Sequence, residues 1–301
     1  MGAGCDLGDC PIDRANWLVH NTTKLERSNS RPRRSYLHRR CVFPLLPVPT
    51  PTHRALRFAL PAALVAALLA WSPASQGKVR AEVSGGLLVV TGGKGSDRIT
   101  VVCAQGLVRV NGKNPRGGTL ACSRISEVDA LSGDGNDRVD LSGVGPDTGF
   151  GQRDLPGGFG HGTGAAADLG GGNDRYIGGR SAFNLVLAGP GGDTIEGGRV
   201  RDNLQGGSGK DRASAGAGRD ILLGNAGNDK LNGGADDDLL SGNAGDDLLT
   251  GGAGADLLGG GAGMDRLLGG PGPDELIGGA GKDRLNGGPG NNTLVQDAPK
   301  K

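Results

Sequence analysis

Gly278-Gly279-Ala280-Gly281-Lys282-Asp283-Arg284-Leu285-Asn286 is one copy of a nine-residue unit, G-G-x-G-x-D-x-U-x, where U is a large apolar residue. The unit recurs in phase. An aspartate stands at Asp193, Asp202, Asp211, Asp220, Asp229, Asp238, Asp247, Asp256, Asp265, Asp274 and Asp283, and the next beat is Asn292. Position U runs from Ile195 and Leu204 to Leu294, with Ala213 the only small residue in the series. A fixed period this short marks a solenoid. Glycines at three of six loop positions allow positive φ and close backbone approach, and they leave carbonyl oxygens unobstructed. The aspartate adds a carboxylate, and an all-oxygen donor set suits a hard cation such as calcium. The last three residues, x-U-x, predict a short strand whose middle side chain faces one way and whose neighbours face the other. One leucine per nine residues is a thin core, so metal has to supply the rest.

These residues resemble the RTX, or hemolysin-type, calcium-binding repeat family over residues 193–295, and more loosely from Gly92. The resemblance implies an all-β fold, a parallel β-roll (an RTX-type β-solenoid) with two nonapeptides per turn and several Ca2+ ions between loops stacked one turn apart. Metal partners then lie eighteen residues apart, in two rows. Asp193, Asp211, Asp229, Asp247, Asp265 and Asp283 form one; Asp202, Asp220, Asp238, Asp256 and Asp274 form the other, closing at Asn292. Loop carbonyls complete each shell, and those expected to contribute are Gly242, Gly245, Gly251, Gly254, Gly260, Gly263, Gly269, Gly272, Gly278 and Gly281.

Some copies depart from the pattern. Val200 replaces the fourth glycine before Asp202 and arginines flank it, so Asp202 is expected to be a poor ligand. Asp236 replaces the fourth glycine before Asp238, Ala215 replaces the first before Asp220, and Asn292 lacks the charge. Upstream the vocabulary persists out of phase, in Gly92 to Ile99, Ser132 to Val139 and Gly170 to Asp174, so Asp97, Asp137 and Asp174 are also expected as weaker ligands. Residues 144–168 hold eight glycines and read as a loop bulging from the stack. Residues 75–130 read as an irregular β cap, with runs at Leu87–Thr91, Arg98–Cys103 and Leu107–Val110 and a turn at Asn111-Gly112. Cys103 and Cys122 are the only cysteines beyond residue 41, and in an exported chain they are expected to pair. The remaining divisions are degenerate repeats over 131–192, tandem repeats over 193–295 and a tail over 296–301.

Export is read from residues 54–74. Arg54 and Arg57 precede a thirteen-residue apolar run, Phe58 to Ala70, followed by the small-residue zone Ser72-Pro73-Ala74, as in a secretory signal peptide. The run is shorter than the about twenty residues a spanning helix needs, so stable membrane insertion is not expected. Residues 1–53 are basic and proline-punctuated, without an apolar period, and read as a leader ahead of the true start. Ten of the 33 Lys and Arg and four of the 32 Asp and Glu lie in residues 1–57, leaving the remainder with 23 basic and 28 acidic residues, a net of −5. That balance is opposite to the footprint of a nucleic-acid binder.

Little supports catalysis. His161 is the only histidine beyond residue 53, and neither H-E-x-x-H nor G-x-S-x-G occurs. The expected function is therefore that of a secreted calcium-binding protein with a structural or adhesive role, not an enzyme. The alternative is a calcium-dependent hydrolase or toxin-like protein with its active groups within 79–190, for which Asp154, His161 and Ser181 are the candidates. Calcium is the expected partner. Position-seven residues Ile221, Leu239 and Leu257 would stack into an apolar stripe, a possible self-association surface.

Overall fold

A computed structural model describes residues 79–154 and 161–296. The leader, the export segment, Cys5, Cys10 and Cys41 lie outside the described residues. The chain forms short strands almost throughout. In order they are β1 (Arg80–Ser84), β2 (Leu87–Thr91), β3 (Arg98–Ala104), β4 (Leu107–Val110), β5 (Glu127–Leu131), β6 (Arg138–Gly143), β7 (Arg153–Asp154) and β8 (His161–Gly162). Then come β9 (Gly164–Asp168), β10 (Arg175–Ile177), β11 (Phe183–Pro190), β12 (Thr194–Glu196), β13 (Asn203–Ser208), β14 (Arg212–Ala217), β15 (Ile221–Ala226) and β16 (Lys230–Ala235). The last are β17 (Leu239–Ala244), β18 (Leu248–Ala253), β19 (Leu257–Ala262), β20 (Arg266–Leu268), β21 (Glu275–Ala280), β22 (Arg284–Asn286) and β23 (Thr293–Val295).

Successive strands of the array fall alternately into two sheets. The first is ordered β1-β2-β5-β9-β11-β13-β15-β17-β19-β21-β23, and the second β22-β20-β18-β16-β14-β12-β10-β6-β3-β4. Within the repeats every neighbour is parallel and displaced by eighteen residues, as in Leu222↔Leu240 and Leu231↔Leu249. Two nonapeptides therefore make one turn of a parallel β-solenoid. The core is the column of U side chains: Leu204, Leu222, Leu240, Leu258 and Leu276 from one sheet meet Ile195, Ala213, Leu231, Leu249 and Leu267 from the other, all buried.

Glycine at the second and fourth loop positions is imposed by stacking. A Cβ at Gly207 or Gly209 would collide with the carbonyl oxygen of Gly189 or Gly191 one turn earlier, and both glycines have positive φ. Apart from Val200, which is not at positive φ, the residues that replace glycine at such a position in the tandem repeats are Asn225, Asp236 and Asn243, at φ 77°, 75° and 74°. These are the residue types whose short polar side chains tolerate left-handed backbone.

The N-terminal end confirms an irregular β cap but moves its boundary. β2 already pairs in parallel with β5, and β3 with β6, so both sheets begin well before residue 131. Within the two large sheets only β1 and β4 are antiparallel among the described residues, each folded back on its neighbour to close the end of one sheet. Such closure protects an otherwise open parallel edge. Asn111 and Gly112 form a turn with φ of 50° and 74°, and Asn111 Oδ1 accepts from the Thr100 amide at 2.8 Å. Cys103 and Cys122 are joined by a disulfide, with Cα atoms 5.9 Å apart.

Residues 144–168 are not a loop throughout. Gly164–Asp168 is a full strand between β5 and β11, with Ala165 and Ala167 buried against the core. Its glycine-alanine composition hides it, because the register to Val128, Ala130 and Val186 supplies the apolar bulk that its own side chains lack.

Ile221, Leu239 and Leu257 are consecutive partners in the first sheet. Each is covered in part by its neighbours in the column: Ile221 and Leu239 are half-buried and Leu257 is 8% exposed. Among the described residues no helix is long and apolar enough to cross a membrane.

The thin core makes each leucine count. Leu240→Ala should lower the stability of the calcium-loaded protein by about 3 kcal/mol, within the range for a buried leucine, in urea unfolding followed by circular dichroism. A loss below about 1 kcal/mol would show that the U column does not carry the packing.

Candidate metal centre

The strand alternation places three things on the inside of each half-turn: the U side chain, the first glycine of the next loop, and the loop aspartate. The in-phase aspartates, every ninth residue from Asp193 to Asp283, are all buried, at 0–9% exposure. One carboxylate oxygen is fixed by the chain itself. The backbone amide of each aspartate donates to Oδ1 of the aspartate one turn later, as in Asp211 to Asp229 at 2.9 Å, Asp229 to Asp247 at 2.7 Å and Asp247 to Asp265 at 2.9 Å.

This ladder extends upstream. Asp97 donates to Asp137, Asp137 to Asp174 and Asp174 to Asp193, across separations of 40, 37 and 19 residues. The inserted residues leave the stack and return without breaking it. The second row runs from Asn184 through Asp202, Asp220, Asp238, Asp256 and Asp274 to Asn292.

The other oxygen has no partner. Oδ2 of Asp137, Asp174, Asp193, Asp211, Asp220, Asp229, Asp238, Asp247, Asp256, Asp265, Asp274 and Asp283 is buried without a hydrogen bond. An unsatisfied buried carboxylate oxygen is costly, and so many in register demand a common cause. The first glycine reveals what each faces. A Cβ at Gly242 would meet Asp247 Oδ2 and would lie 2.7 Å from the Gly260 carbonyl oxygen. At Gly260 the same atom would meet Asp265 Oδ2 and lie 2.5 Å from the Gly278 carbonyl. Gly233 likewise faces Asp238 Oδ2 and the Gly251 carbonyl, and Gly269 faces Asp274 Oδ2 and the Gly287 carbonyl.

Each first-position glycine thus keeps side-chain bulk out of a cradle lined by oxygens from two turns. Among the described residues no three His, Cys, Asp or Glu side chains converge on one metal position. A cation here must combine a carboxylate oxygen with backbone carbonyls, as calcium does readily. The donor set fits that ion. The fourth-position glycines, Gly245, Gly254, Gly263, Gly272 and Gly281, lie on the loop backbone, each packed on the carbonyl one turn earlier.

The cradles are unequal. Asp202 Oδ2 accepts from the Gly198 amide at 2.7 Å, and Asp97 Oδ2 accepts from the Gly93 amide at 2.6 Å, so in neither is Oδ2 free as it is in the other ladder aspartates. Asn292 turns its amide nitrogen toward Gly288, donating to that carbonyl at 2.9 Å. Asn184 is also fully hydrogen-bonded, and the second row therefore ends in a neutral amide on both sides. Ahead of Asp137, Asp174, Asp193 and Asp220 the first position is Ser132, Leu169, Ala188 and Ala215, all buried, so a side chain replaces the hydrogen of glycine. The weak position of Asp193 is visible only once the inward role of the first glycine is known.

Sequence reasoning also missed an outer ring of acids. Asp246 Oδ1 accepts from the Met264 amide at 2.7 Å, and Asp237 Oδ1 accepts from the Ala255 amide at 2.9 Å, each across one turn. Their position just before the ladder aspartate, at the same eighteen-residue spacing, is the signal that would have found them. Among the enzyme candidates, Asp154 lies opposite His161 in the β7–β8 pair, while the Ser181 hydroxyl is engaged by Asp147.

Burial raises these carboxyls, and the Oδ1 hydrogen bond opposes the rise without cancelling it. Asp193, Asp202, Asp238 and Asp247 are pushed to about 7, Asp174, Asp211, Asp256 and Asp265 to about 6, and Asp220 to about 8. Carboxylates one turn away add to the effect, as Asp229 and Asp265 do on Asp247. The metal-free rows resist carrying their negative charge.

Residues 187–222, 223–258 and 259–294 each match the family model of the RTX calcium-binding nonapeptide repeat, which spans four copies. Residues 187–294 are therefore RTX repeats. No curated protein matches the chain.

The raised carboxyls give the metal-free fold a defined pH dependence. A group raised in the folded state stabilises it fully below the unfolded value of 3.8, and that contribution is lost as pH rises through about 6 to 8. In excess chelator, the β signal in far-ultraviolet circular dichroism should be larger at about pH 4 than at about pH 8. A signal unchanged between those limits would mean that burial of Oδ2 is not linked to protons.

Proposed function

We propose that this protein is an exported, calcium-binding structural protein whose repeats become a rigid roll on meeting calcium outside the cell, in a structural or adhesive role. The observation that carries the reading is the register of partnerless Oδ2 atoms, of which those of Asp229, Asp238, Asp247, Asp265 and Asp274 face a carbonyl across a first-position glycine. Bound calcium supplies there the positive charge and the preference for oxygen donors that the buried carboxylates require. Asp229, Asp238, Asp247, Asp256, Asp265, Asp274 and Asp283 have both the free oxygen and the glycine, so they are the ligands we assign first. Asp211, with Gly206 at its first position, joins them, and Asp193 and Asp220 follow, crowded by Ala188 and Ala215.

Export is supported by the signal-like segment 54–74 and by the ion. Extracellular calcium modules bind at about 10⁻⁴ to 10⁻³ M, levels that an exported chain meets only after leaving the cell. Before that, the carboxylates repel one another, and 61 glycines carry a large ordering entropy. Binding and ordering of the array then form one equilibrium.

A calcium titration of the full chain followed by circular dichroism tests this. Half-saturation should fall on the order of 10⁻⁴ to 10⁻³ M with a cooperative rise in β signal. Asp247→Ala, and independently Gly242→Ala, should weaken and flatten the transition, whereas Asp202→Ala should leave its midpoint within about twofold. A chain already β-rich at neutral pH in chelator and unmoved by calcium would sink the reading. Equal effects of the three substitutions would refute the grading of the cradles.

A further inference from the structure

The residue after each loop aspartate points out of the roll, and the eighteen-residue turn sends alternate copies to opposite sheets. On the first sheet these outward residues are Asn203, Ile221, Leu239, Leu257 and Glu275, consecutive in register. On the second sheet they are cations. Arg98, Arg138 and Arg175 are followed, after Thr194, by Arg212 and Lys230, and after Leu248 by Arg266 and Arg284, each paired with the next across adjacent strands. All seven basic side chains are exposed. Among the described residues, Arg175 alone of these seven forms an ion pair, with Glu196 at 2.8 Å.

Adjacent strands are about 4.8 Å apart, so this is a straight column of charge along the roll axis. Scattered over the surface, these cations would read as solubility aids. Their confinement to one face of a net-acidic array is what calls for another explanation.

A second column accompanies the first. Two residues on, the outward positions are Ser214, Asn232 and Thr250, then the apolar Leu268 and finally Asn286, and Asn232 donates to the Ser214 hydroxyl at 3.2 Å. The acids in this column, Asp140 and Glu196, lie only toward the N-terminal end. Between the columns the sheet carries a shallow groove of about 340 Å³, lined among others by Arg212, Ser214, Lys230, Asn232 and Thr250. Among the described residues no ring is available for stacking: Phe150, Tyr176 and Phe183 are buried, and no aromatic residue lies on these strands' outer face.

We propose that the outer face of the second sheet binds an extended acidic polysaccharide, lying along the roll axis with its anionic groups on the Arg212–Lys230–Arg266–Arg284 column and its hydroxyls on the Ser214–Asn232–Thr250 column. A repeating linear cation array fits a polymer with repeating anions. Neighbouring hydroxyl and amide groups fit sugar hydroxyls. A single-stranded nucleic acid would instead be expected to use aromatic platforms for its bases. The inference rests on the calcium-ordered roll, because only the folded register aligns the column.

The test uses the full chain in excess calcium, with dextran sulfate as the probe and uncharged dextran of the same length as the blank. Replacing Arg212, Lys230, Arg266 and Arg284 with Gln should weaken dextran sulfate binding at least about tenfold and flatten its salt dependence. A control replacing the loop cations Arg199, Lys210, Arg219 and Lys282 with Gln removes the same charge and should bind within about twofold of the parent. Circular dichroism in calcium checks that each variant folds; should the fourfold variant fail, Lys230→Gln with Arg266→Gln replaces it. Equal losses in both variants, retained binding in the column variant, or binding of poly(dT) as tight as that of dextran sulfate would each overturn the proposal. A parent chain that does not order in calcium would defeat the proposed function itself. One that orders but ignores dextran sulfate would defeat this inference alone.

Discussion

The rest of the molecule hangs on a hydrogen bond that each aspartate makes with only half of its carboxylate. The amide of one turn holds Oδ1 of the next, and that fixes the position of Oδ2, buried and without a partner. The same bond sets the register between turns and orients the ligand. It also loads the inside of the roll with like charges one strand spacing apart, which the protein alone does not neutralise. So many buried carboxylate oxygens held in register suit an ion at each, and an ion, or a proton in its place, that binds them in the folded state adds to its stability.

Much of this was legible in the sequence, because the period is the fold. Nine residues per strand and eighteen per turn follow from the spacing of aspartates and leucines, and the register pairs Leu222 with Leu240 as that arithmetic requires. Less legible was which glycine does what. The second and fourth glycines answer to backbone crowding and positive φ, while the first has ordinary φ and answers to the oxygens it faces. Nothing in the string G-G-x-G distinguishes these roles, so Ala188 ahead of Asp193 passed unremarked. The strand Gly164–Asp168 was hidden for a related reason: its alanines have no strand preference of their own and are recruited by the neighbours they pair with.

Irregularity is confined to where it does no harm. Separations of 40 and 37 residues between early turns enclose long excursions, yet the ladder from Asp97 to Asp193 is unbroken. Closing a longer loop costs only slowly more entropy, whereas a slip of register would displace every ligand. The disulfide between Cys103 and Cys122 sits within this irregular end, where the U column is not yet periodic and a covalent tie offsets the missing order. The regular array needs no such tie, since each of its turns is held by the same bond.

Two nonapeptides per turn have a further consequence for how such a chain can carry more than one property. Odd and even copies share a loop chemistry but land on different sheets, so their outward residues vary independently. Here the even copies present Ile221, Leu239 and Leu257, and the odd copies present Arg212, Lys230, Arg266 and Arg284. The inward positions cannot vary in this way, because leucine, glycine and aspartate are each fixed by packing, by space or by charge. The freedom left to this sequence therefore lies in every ninth residue after the aspartate, and the separation of apolar and cationic side chains into two columns is where the chain has used it.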